Sequence, residues 1–323
     1  MIEVLKGGLE TTVQDWPGRK GWYKVGFPPC GALDGVSLRL GNLLVGNEPG
    51  AAGLECQFIG PSLRFEADAI VALTGADMGA TLDGVAVPLW ESVAVRAGQV
   101  LALGPARTGA RGYIAIASAI DVPEFLGSCA TYTLAGVGGF QGRALKAGDR
   151  LPFGHSSGAI AGRRVRADRR PVIDGSGVWT IEVAVGPNDD WIDEAGQARF
   201  FASEWKLSAR SNRVGYRLDG PAWTFTRKAY DKAPENGSEP SNTIDHGYAI
   251  GAINLGGQTP IILMNDALTL GGFINPYTVI SAAFSKLAQA RPGERLRFAS
   301  VTVDEAQALR RAQDALCSKA SVE

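Results

Sequence analysis

The sequence predicts a mainly β protein made of two similar β units with few helices. Glycine occurs 42 times and proline 17 times, and these residues separate many short runs of strand-forming residues. The 323 residues are 45% apolar, which is enough for two domains with their own cores. Segments beginning at Arg96, Lys146 and Arg291 each contain a basic residue, a Gly turn and an alternating strand. This shared pattern favours two related barrel-like units over one long sheet.

The pattern of turns and apolar runs predicts where these units begin and end. We expect a first β-barrel unit with a capped helix over residues 1–160, a charged linker over 161–175, and a second β-barrel unit with a C-terminal helix over 176–323. The linker contains RRVRADRR (163–170), which has no interleaved aromatic residues and therefore indicates a solvated segment, not a nucleic-acid patch.

In the first unit, Asp34 is placed to cap a helix that ends at Gly46 and Asn47. Runs rich in strand-forming residues follow at 63–74, 85–103 and 112–119. In the second unit we expect a strand over 178–185, a helix capped by Asn188, a strand-turn-strand within 208–221, and a closing helix capped by Asp304 that packs on the core.

Composition excludes several classes of function. The net charge is −1, so no whole-protein field attracts nucleic acid or an anionic membrane. No apolar run reaches the roughly 18 residues of a membrane span, and MIEVLKGGLE does not resemble a signal peptide, so we expect a cytoplasmic protein. The four cysteines form no CxxC pair, and the only histidines are His155 and His246, which argues against a zinc or multi-histidine centre.

Two glycine-rich motifs match known catalytic patterns only in part. Gly154 to Gly158, GHSSG, fits the nucleophile elbow GxSxG, but no convincing helix follows it, so a flexible loop is the favoured interpretation. Gly136 to Gly142, GVGGFQG, precedes a strand-like run and not a helix, so a dinucleotide fingerprint is rejected. The turn is either a tight β corner or a place where backbone N–H groups approach a ligand oxygen, with Arg143 supplying charge.

The stretch from Ser241 to Phe298 has the strongest signals of a functional site. The apolar runs 248–255 and 260–264 flank Gly256, Gly257 and Gln258, which predicts an antiparallel hairpin. Polar residues flank both runs, so closing the hairpin would bring two polar segments to one end. They are Ser241, Asn242, Asp245 and His246 before it, and Asn265, Asp266, Gly271 and Gly272 after it.

Two of the charged residues in this stretch have structural alternatives. Adjacent residues in extended backbone point to opposite faces, so Asp245 is favoured over His246, with a surface turn aspartate as the alternative. Lys286 lies in the apolar run SAAFSKLAQ, where it is either a buried lysine with a carboxylate partner or a surface lysine.

Five ordered motifs resemble one family, the biotin-dependent carboxyltransferase or allophanate hydrolase subunit 2 family. They are TTVQDWPGRKGWYKVGFPPCGALDGVSLRLGNLLVGN, LGSCATYTLAGVGGFQGRALKAGD, SNRVGYRLDGP, TPIILMNDALTLGGF and KLAQARPGERLRF. The stretch PSNTIDHGYAIGAINLGGQTPIIL is more similar to the urea carboxylase form than to the 5-oxoprolinase form. Cys30 and Ala32 depart from the serine and proline that are usual in the family.

This resemblance implies cyclophilin-like β-barrel subdomains and a carboxyltransferase subunit that moves CO2 from carboxybiotin to a nitrogen of urea or a similar small amide. Biotin would be carried by a partner protein, and ATP would act only through a partner biotin carboxylase or oxoprolinase subunit. The implied partners are a smaller homologous subunit, a biotin carrier and a biotin carboxylase in a hetero-oligomer. The alternatives are the C subunit of an ATP-dependent 5-oxoprolinase and a non-catalytic regulatory binding module.

N-carboxylation needs a group that removes a proton from the acceptor nitrogen and donors that stabilise negative oxygen. Residue type and position in the matching motifs then assign three sets of residues. The catalytic candidates are Asp245, Asp266 and Lys286. The substrate-binding candidates are Asn242, Asn254, Arg213 and His246. The carboxybiotin-binding candidates are Gly138, Gly139 and Arg143.

Overall fold

The structure is a computed structural model that describes residues 1–154, 158–173 and 175–323. Its contacts divide the chain into two compact units. The first contains residues 1–20, 30–175 and 312–323, and the second contains 21–29 and 176–311. Among the described residues, no helix has the length and apolar character needed to cross a membrane.

The first unit consists of two antiparallel sheets and one central helix. The six-stranded sheet has the order β11-β1-β4-β9-β6-β7, and the five-stranded sheet has the order β2-β3-β10-β5-β8. The strands are β1 Ile2–Lys6, β2 Glu10–Gln14, β3 Gly53–Gln57, β4 Ser62–Phe65, β5 Ala69–Asp77, β6 Thr81–Leu82, β7 Val85–Ala86, β8 Ser92–Val95, β9 Val100–Ala102, β10 Thr108–Ile116 and β11 Arg150–Leu151. The long predicted runs 63–74 and 85–103 are therefore each divided by turns.

The core of the first unit lies between the two sheets. Burial alternates along β4, whose Leu63 and Phe65 pack with Leu73 of β5 and Ile114 of β10, whereas β5 and β10 are buried almost continuously. Helix α1, Gly35–Leu44, packs on the opposite face of β5 and β10. The charged segment 163–170 is not wholly solvated, because Val165 is fully buried against this second layer.

The second unit is built around a closed barrel of seven strands in the order β12-β19-β16-β17-β14-β13-β20, and a separate strand pair, β15 with β18, lies outside it. The strands are β12 Val178–Val185, β13 Trp205–Leu207, β14 Gly215–Asp219, β15 Asn242–Gly247, β16 Ala252–Gly256, β17 Thr259–Leu263, β18 Leu270–Phe273, β19 Tyr277–Val279 and β20 Arg295–Ser300. The helices are α2 Glu194–Ala202, α3 Phe284–Gln289 and α4 Val303–Leu316, of which residues from 312 onwards belong to the first unit. The prediction of a mainly β, barrel-containing protein with few helices is confirmed.

Aromatic packing centres on Phe200 of α2 in the second unit. Its ring stacks on Tyr277 and Phe298 with centroid distances of 4.5 Å each, and Trp205 and Trp223 lie within 5.8 Å and 5.3 Å. Burial raises the pKa of the Tyr277 hydroxyl to about 12. Burial of large aromatic rings is strongly stabilising, so this cluster supports the core of the second unit.

The turn pattern seen three times in the sequence has the same hydrogen bonds each time. In each turn the glycine N–H donates to a backbone carbonyl of another segment. The side chain of the residue after the glycine accepts from the N–H of the residue two positions before the glycine. The glycines are Gly98, Gly148 and Gly293, with φ of 90°, 89° and 92°. The accepting side chains are Gln99, Asp149 and Glu294, with N···O distances of 2.8, 2.9 and 2.9 Å. A left-handed glycine followed by a side chain with an amide or carboxylate oxygen is therefore the local requirement of this turn.

Helix capping agrees with the sequence at α1 and differs at α2 and α4. Asp34 caps α1 by accepting from the Ser37 N–H. Asp193, not Asn188, caps α2, because the Asn188 side chain accepts from the Asn275 N–H instead.

At α4 the prediction of an Asp304 cap is wrong, because Thr302 and Glu305 form a reciprocal capping box. The expected packing of α4 is also wrong, because no residue of the helix is buried and Leu309 is exposed.

We predict that Asp34→Ala lowers the free energy of unfolding by about 1–2 kcal/mol, because it removes a buried cap that accepts from both the N–H and the hydroxyl of Ser37. Urea unfolding followed by circular dichroism measures this change. Asp304→Ala is the matched control and should change stability by less than about 0.5 kcal/mol. Equal losses in the two variants would show that Asp34 is not an important cap.

Candidate functional site

The predicted hairpin in the second unit forms. β16 and β17 pair antiparallel with Gly256 opposite Thr259, so Gly257 and Gln258 form a two-residue loop. The two polar segments beside the hairpin also meet, but as the strand pair β15 and β18 and not as two turns. The buried Ser241 joins them to the hairpin, because its hydroxyl accepts from the Gly257 N–H at 3.1 Å.

Two glycines of β18 provide the surface on which the polar side chains of β15 lie. A Cβ on Gly272 would lie 3.0 Å from the Asp245 carboxylate, and a Cβ on Gly271 would lie 2.6 Å from the Tyr248 hydroxyl. Asp245 is exposed, and its carboxylate accepts no hydrogen bond from the described residues. The pair of glycines in TLGGF therefore allows a carboxylate and a phenol to lie close to the backbone.

The Tyr248 hydroxyl keeps its proton at this surface. Burial raises its pKa, and the nearby Asp245 carboxylate raises it further. The oxygen accepts from the Phe273 N–H at 2.7 Å, which leaves the hydroxyl hydrogen for another acceptor. His246 lies edge-on to the Tyr248 ring at 5.1 Å, and its two ring nitrogens lie 3.2 Å and 3.1 Å from the carbonyl oxygens of Gly247 and Phe273. Tyr248 was not identified from the sequence, since only the glycines opposite it indicate its place.

Asp266 and Arg213 form a buried bidentate ion pair. The guanidinium donates from Nε and Nη2 to the two carboxylate oxygens at 3.0 and 2.9 Å, and the side chains are 5% and 2% exposed. Asp266 is therefore held by a cation and does not meet Asp245 at the strand pair. Its predicted role as a base and the predicted role of Arg213 in substrate binding would each require this pair to open.

Lys286 is also paired. Its ammonium donates to both oxygens of Glu182, at 2.5 and 2.8 Å, and to the Thr180 carbonyl at 3.3 Å. These three contacts use all three of its donors. The structure thus supports the carboxylate partner but not the burial, because the Lys286 side chain is 42% exposed, and its catalytic role stays a prediction.

The two predicted amides differ in their surroundings. Asn242 begins β15, where its backbone carbonyl accepts from the Lys232 ammonium at 2.8 Å. Asn254 is 4% exposed in β16, and its side-chain oxygen is buried without a hydrogen-bond partner among the described residues. A buried acceptor without a donor is costly, so the Asn254 side-chain oxygen is suited to accept from an N–H of a ligand or an O–H of a water.

In the first unit, Gly138 and Gly139 lie where no side chain fits. A Cβ on Gly138 would collide with the Ala130 carbonyl and the Arg19 guanidinium, and a Cβ on Gly139 would collide with Thr131. Arg19 is 2% exposed, donates to the Phe125 and Ala130 carbonyls, and keeps one nitrogen, Nη1, without a partner among the described residues.

The Asp15 side chain holds the segment that supports this turn. Its carboxylate accepts from the Ser128 hydroxyl at 2.9 Å and from the Cys129 N–H at 2.7 Å. Burial raises the pKa of Asp15, while these hydrogen bonds and the charge of Arg19 oppose that rise. Neither Asp15 nor Arg19 was identified as functional from the sequence, because the residues that they hold are more than 100 positions away.

Arg143 does not present a free charge. It donates to both oxygens of Asp149 at 2.7 and 2.8 Å, and also to Gln141 and its neighbour Ala144. The Arg143 guanidinium holds the pKa of Asp149 below its usual value. The predicted role of Arg143 in holding carboxybiotin would require it to leave this partner.

A cavity of about 500 Å³ lies beside the glycine turn and is formed by residues 121–125, 136–142 and Pro152. Its lining residues include the aromatic Phe125 and Phe140 and the acidic Asp121 and Glu124. Within the described residues, the backbone N–H groups of Gly138, Phe140 and Gln141 donate to no protein acceptor, although all three residues line the cavity. The residues that line the cavity therefore include apolar side chains, acidic side chains and backbone N–H groups without a protein acceptor.

Three comparisons with known proteins agree on one family. The protein-family model described as carboxyltransferase domain, subdomain A and B, matches residues 25–300. The chain is 38% identical to the 5-oxoprolinase C subunit of Escherichia coli over 97% of this chain and 95% of that protein. It is 36% identical to urea amidolyase of Saccharomyces cerevisiae over 97% of this chain but only 17% of that protein. The crystal structure of Kluyveromyces lactis urea carboxylase has a TM-score of 0.93 and 34% identity, covering 98% of this chain and 29% of that one.

We predict that Asp266→Asn lowers the free energy of unfolding by about 3 kcal/mol or more, because it leaves the buried Arg213 cation without its counter-ion. Asp245→Asn is the matched control and should change it by less than about 0.5 kcal/mol, since that carboxylate is exposed. Denaturant unfolding of both variants measures the difference. Similar stabilities would contradict a structural role for Asp266.

The pair of Asp149 and Arg143 should make stability depend on acid pH. Because the folded pKa of Asp149 lies below its usual 3.8, the pair stabilises the fold above that value and its contribution is lost as pH falls through the folded pKa. The difference in unfolding free energy between wild type and Asp149→Asn should therefore be largest near about pH 6 and shrink towards about pH 3. A difference that grows on acidification would contradict this.

Proposed function

The chain belongs to the family of the carboxyltransferase domain, subdomain A and B, and on that premise we propose that it is the subunit of a biotin-dependent enzyme that carboxylates a nitrogen of urea or a similar small amide. The observation that carries the proposal is the match to urea carboxylase over 98% of the chain with a TM-score of 0.93. The chain spans less than a third of the length of the urea amidolyase and urea carboxylase relatives, so partners would supply the remaining steps.

Carboxybiotin, carried by a partner protein, would supply the carboxyl group, and the residues of this chain would bind and orient the reactants. The acceptor nitrogen must lose a proton before or during attack, and an exposed carboxylate is suited to accept it. Asp245 is the proposed base, because the described residues donate no hydrogen bond to it, whereas Asp266 is neutralised by Arg213.

Other residues of the second unit are proposed to recognise the acceptor. Asn254 offers a side-chain carbonyl oxygen that is buried without a partner among the described residues, and Asn242 and His246 lie on the same strand as Asp245. The Tyr248 hydroxyl is a further donor for a developing oxyanion, since its raised pKa keeps it protonated.

In the first unit, the Gly138 N–H is proposed to donate to the ureido oxygen. The Gly139 N–H donates to the Cys129 carbonyl at 3.1 Å, so the predicted role of Gly139 as a donor would require that hydrogen bond to open. The turn fits such a group, because the glycines remove side chains from it and the Gly138 N–H has no acceptor within the described residues. The smaller homologous subunit, the biotin carrier and the biotin carboxylase are the proposed partners in a hetero-oligomer.

The role of a 5-oxoprolinase C subunit is the second candidate function. It is favoured by 38% identity over 95% of the Escherichia coli protein of that name. In that function the chain would act on 5-oxoproline through an ATP-dependent partner, without biotin. Biotin dependence therefore separates the two candidates.

We predict that Asp245→Asn lowers acceptor-dependent ATP turnover of the reconstituted complex at least tenfold, since a general base contributes roughly 10²–10⁴ in rate. Subunit assembly and the thermal midpoint should be unchanged, because Asp245 is exposed. Asp219→Asn, another exposed carboxylate of the second unit, is the control and should retain full turnover.

Near-normal turnover in Asp245→Asn would remove this residue from the mechanism. Lys286→Met is tested in the same assay. It should lower turnover to a similar degree only if the ion pair with Glu182 opens so that Lys286 can contact the substrate.

A further inference from the structure

A second cavity in the first unit, which we call the Arg107 cavity, shares no residue with the cavity beside the glycine turn. Its volume is about 330 Å³, near the lower end of the roughly 300–1,000 Å³ of ligand sites in proteins, so it has room for a small ligand. Four of the residues that line it are apolar, namely Ala80, Ala86, Val87 and Leu89. Val87 and Leu89 are only partly buried against the core, so part of their apolar surface is left for a ligand.

Two oppositely charged residues, Asp77 and Arg107, also line this cavity. Asp77 is the last residue of β5, and Arg107 directly precedes β10, the strand that pairs with β5. The Arg107 backbone N–H donates to the Asp77 carbonyl at 2.6 Å, which fixes the two residues beside each other. The pairing of β5 with β10 therefore brings an acid and a base that are 30 positions apart to one place in the sheet.

The charged ends of both side chains meet at Gly79, which itself lines the cavity. The Gly79 N–H donates to the Asp77 carboxylate at 2.8 Å. A Cβ on Gly79 would lie 2.7 Å from Nη2 of Arg107, so the guanidinium lies against the glycine backbone, whose φ is 57°. The carboxylate and the guanidinium are therefore both located at the cavity and not elsewhere on the surface.

These two charges are not hydrogen-bonded to each other. The nearest nitrogen and oxygen are 3.8 Å apart, which is too far for a hydrogen bond, whereas Arg143 and Asp149 approach to 2.7 Å. Within the described residues, the Arg107 guanidinium donates no hydrogen bond, and the Asp77 carboxylate accepts only from Gly79. The side chains are 71% and 38% exposed, so a ligand can reach both of them.

The arrangement of charges selects the class of ligand. An anion would pair with Arg107 but would meet the like charge of Asp77, and a cation would meet the reverse situation. A zwitterion satisfies both groups, since a guanidinium is suited to a carboxylate and a carboxylate accepts from an ammonium. An α-amino acid carries its ammonium and carboxylate on one carbon atom, which matches two protein charges that are close together.

We propose that the Arg107 cavity binds an α-amino acid with a small apolar side chain in its zwitterionic form. The carboxylate of the ligand accepts from the Arg107 guanidinium, and its ammonium donates to the Asp77 carboxylate. Its side chain packs on Val87 and Leu89, where the burial of apolar surface supplies affinity. The inference goes beyond the proposed function and is independent of it, because none of the candidate site residues lines this cavity.

Ligand-observed NMR titrations of the full chain with four matched probes test the proposal. L-valine is the zwitterion, isovalerate is the same molecule without the ammonium, and isobutylamine is the same molecule without the carboxylate. Because exposed ion pairs are individually weak, L-valine should bind roughly three- to fivefold more tightly than either of these two. Glycine keeps both charges but lacks the apolar side chain, so it should bind roughly tenfold more weakly than L-valine.

Two variants locate the binding site and separate its two charges. Arg107→Gln should weaken isovalerate without weakening isobutylamine, and Asp77→Asn should have the opposite effect, because each variant removes one charge. Both should weaken L-valine roughly three- to fivefold. The asparagine keeps an oxygen that can accept from the Gly79 N–H. Arg96→Gln is the matched control, since Arg96 is an exposed arginine in another ion pair, with Asp68 at 2.8 Å, and it should leave all four affinities unchanged.

The opposite effects on the two singly charged probes distinguish loss of a charge from damage to the fold, which would weaken both probes together. The proposal is overturned if L-valine does not bind, if isovalerate or isobutylamine binds as tightly as L-valine, or if glycine does. Wild-type affinities in both Arg107→Gln and Asp77→Asn would equally overturn it, because L-valine would then bind elsewhere on the chain.

Discussion

The close approach of the Gly138 and Gly139 backbone to buried side chains is the constraint on which the first-unit cavity depends. Arg19 and Thr131 occupy the space where a Cβ would lie, so any side chain at these positions would displace them. Both glycines also have positive φ, with values of 70° and 53°. The chain can therefore follow this path only with glycine, and its path leaves backbone donors at the cavity.

Charge is distributed in the same way in both units. Two buried carboxylates are held in ion pairs, Asp266 with Arg213 in the second unit and Asp149 with Arg143 in the first. An unpaired charge is costly in the interior, so these groups are committed to structure. The carboxylates that remain available, among them Asp245 and Glu124, are exposed. This division explains why residue type alone does not identify a catalytic group.

Local features were predictable from the sequence and distant partners were not. The hairpin with its loop at Gly257 and Gln258, the cap at Asp34 and the repeated Gly turns each depend on residues within a few positions of one another. By contrast, the partner of Asp266 is 53 residues away and that of Lys286 is 104 residues away. The α2 cap was misplaced because Asn188 forms a hydrogen bond with Asn275, 87 residues away, and this tertiary contact outweighs its capping preference. The roles of the predicted site residues also depend on groups that are distant in sequence, so those roles remain proposals.

Participation in biotin-dependent carboxyl transfer is the central claim, and avidin tests it most directly. The complex would be reconstituted from this chain, the smaller homologous subunit, the biotin carboxylase and the biotinylated carrier, and amide-dependent ATP turnover would be measured before and after excess avidin. Because avidin sequesters the biotin of the carrier, we expect turnover to fall to background, and avidin presaturated with free biotin should have no effect. Amide-dependent turnover that continues at full rate in excess avidin would contradict the claim.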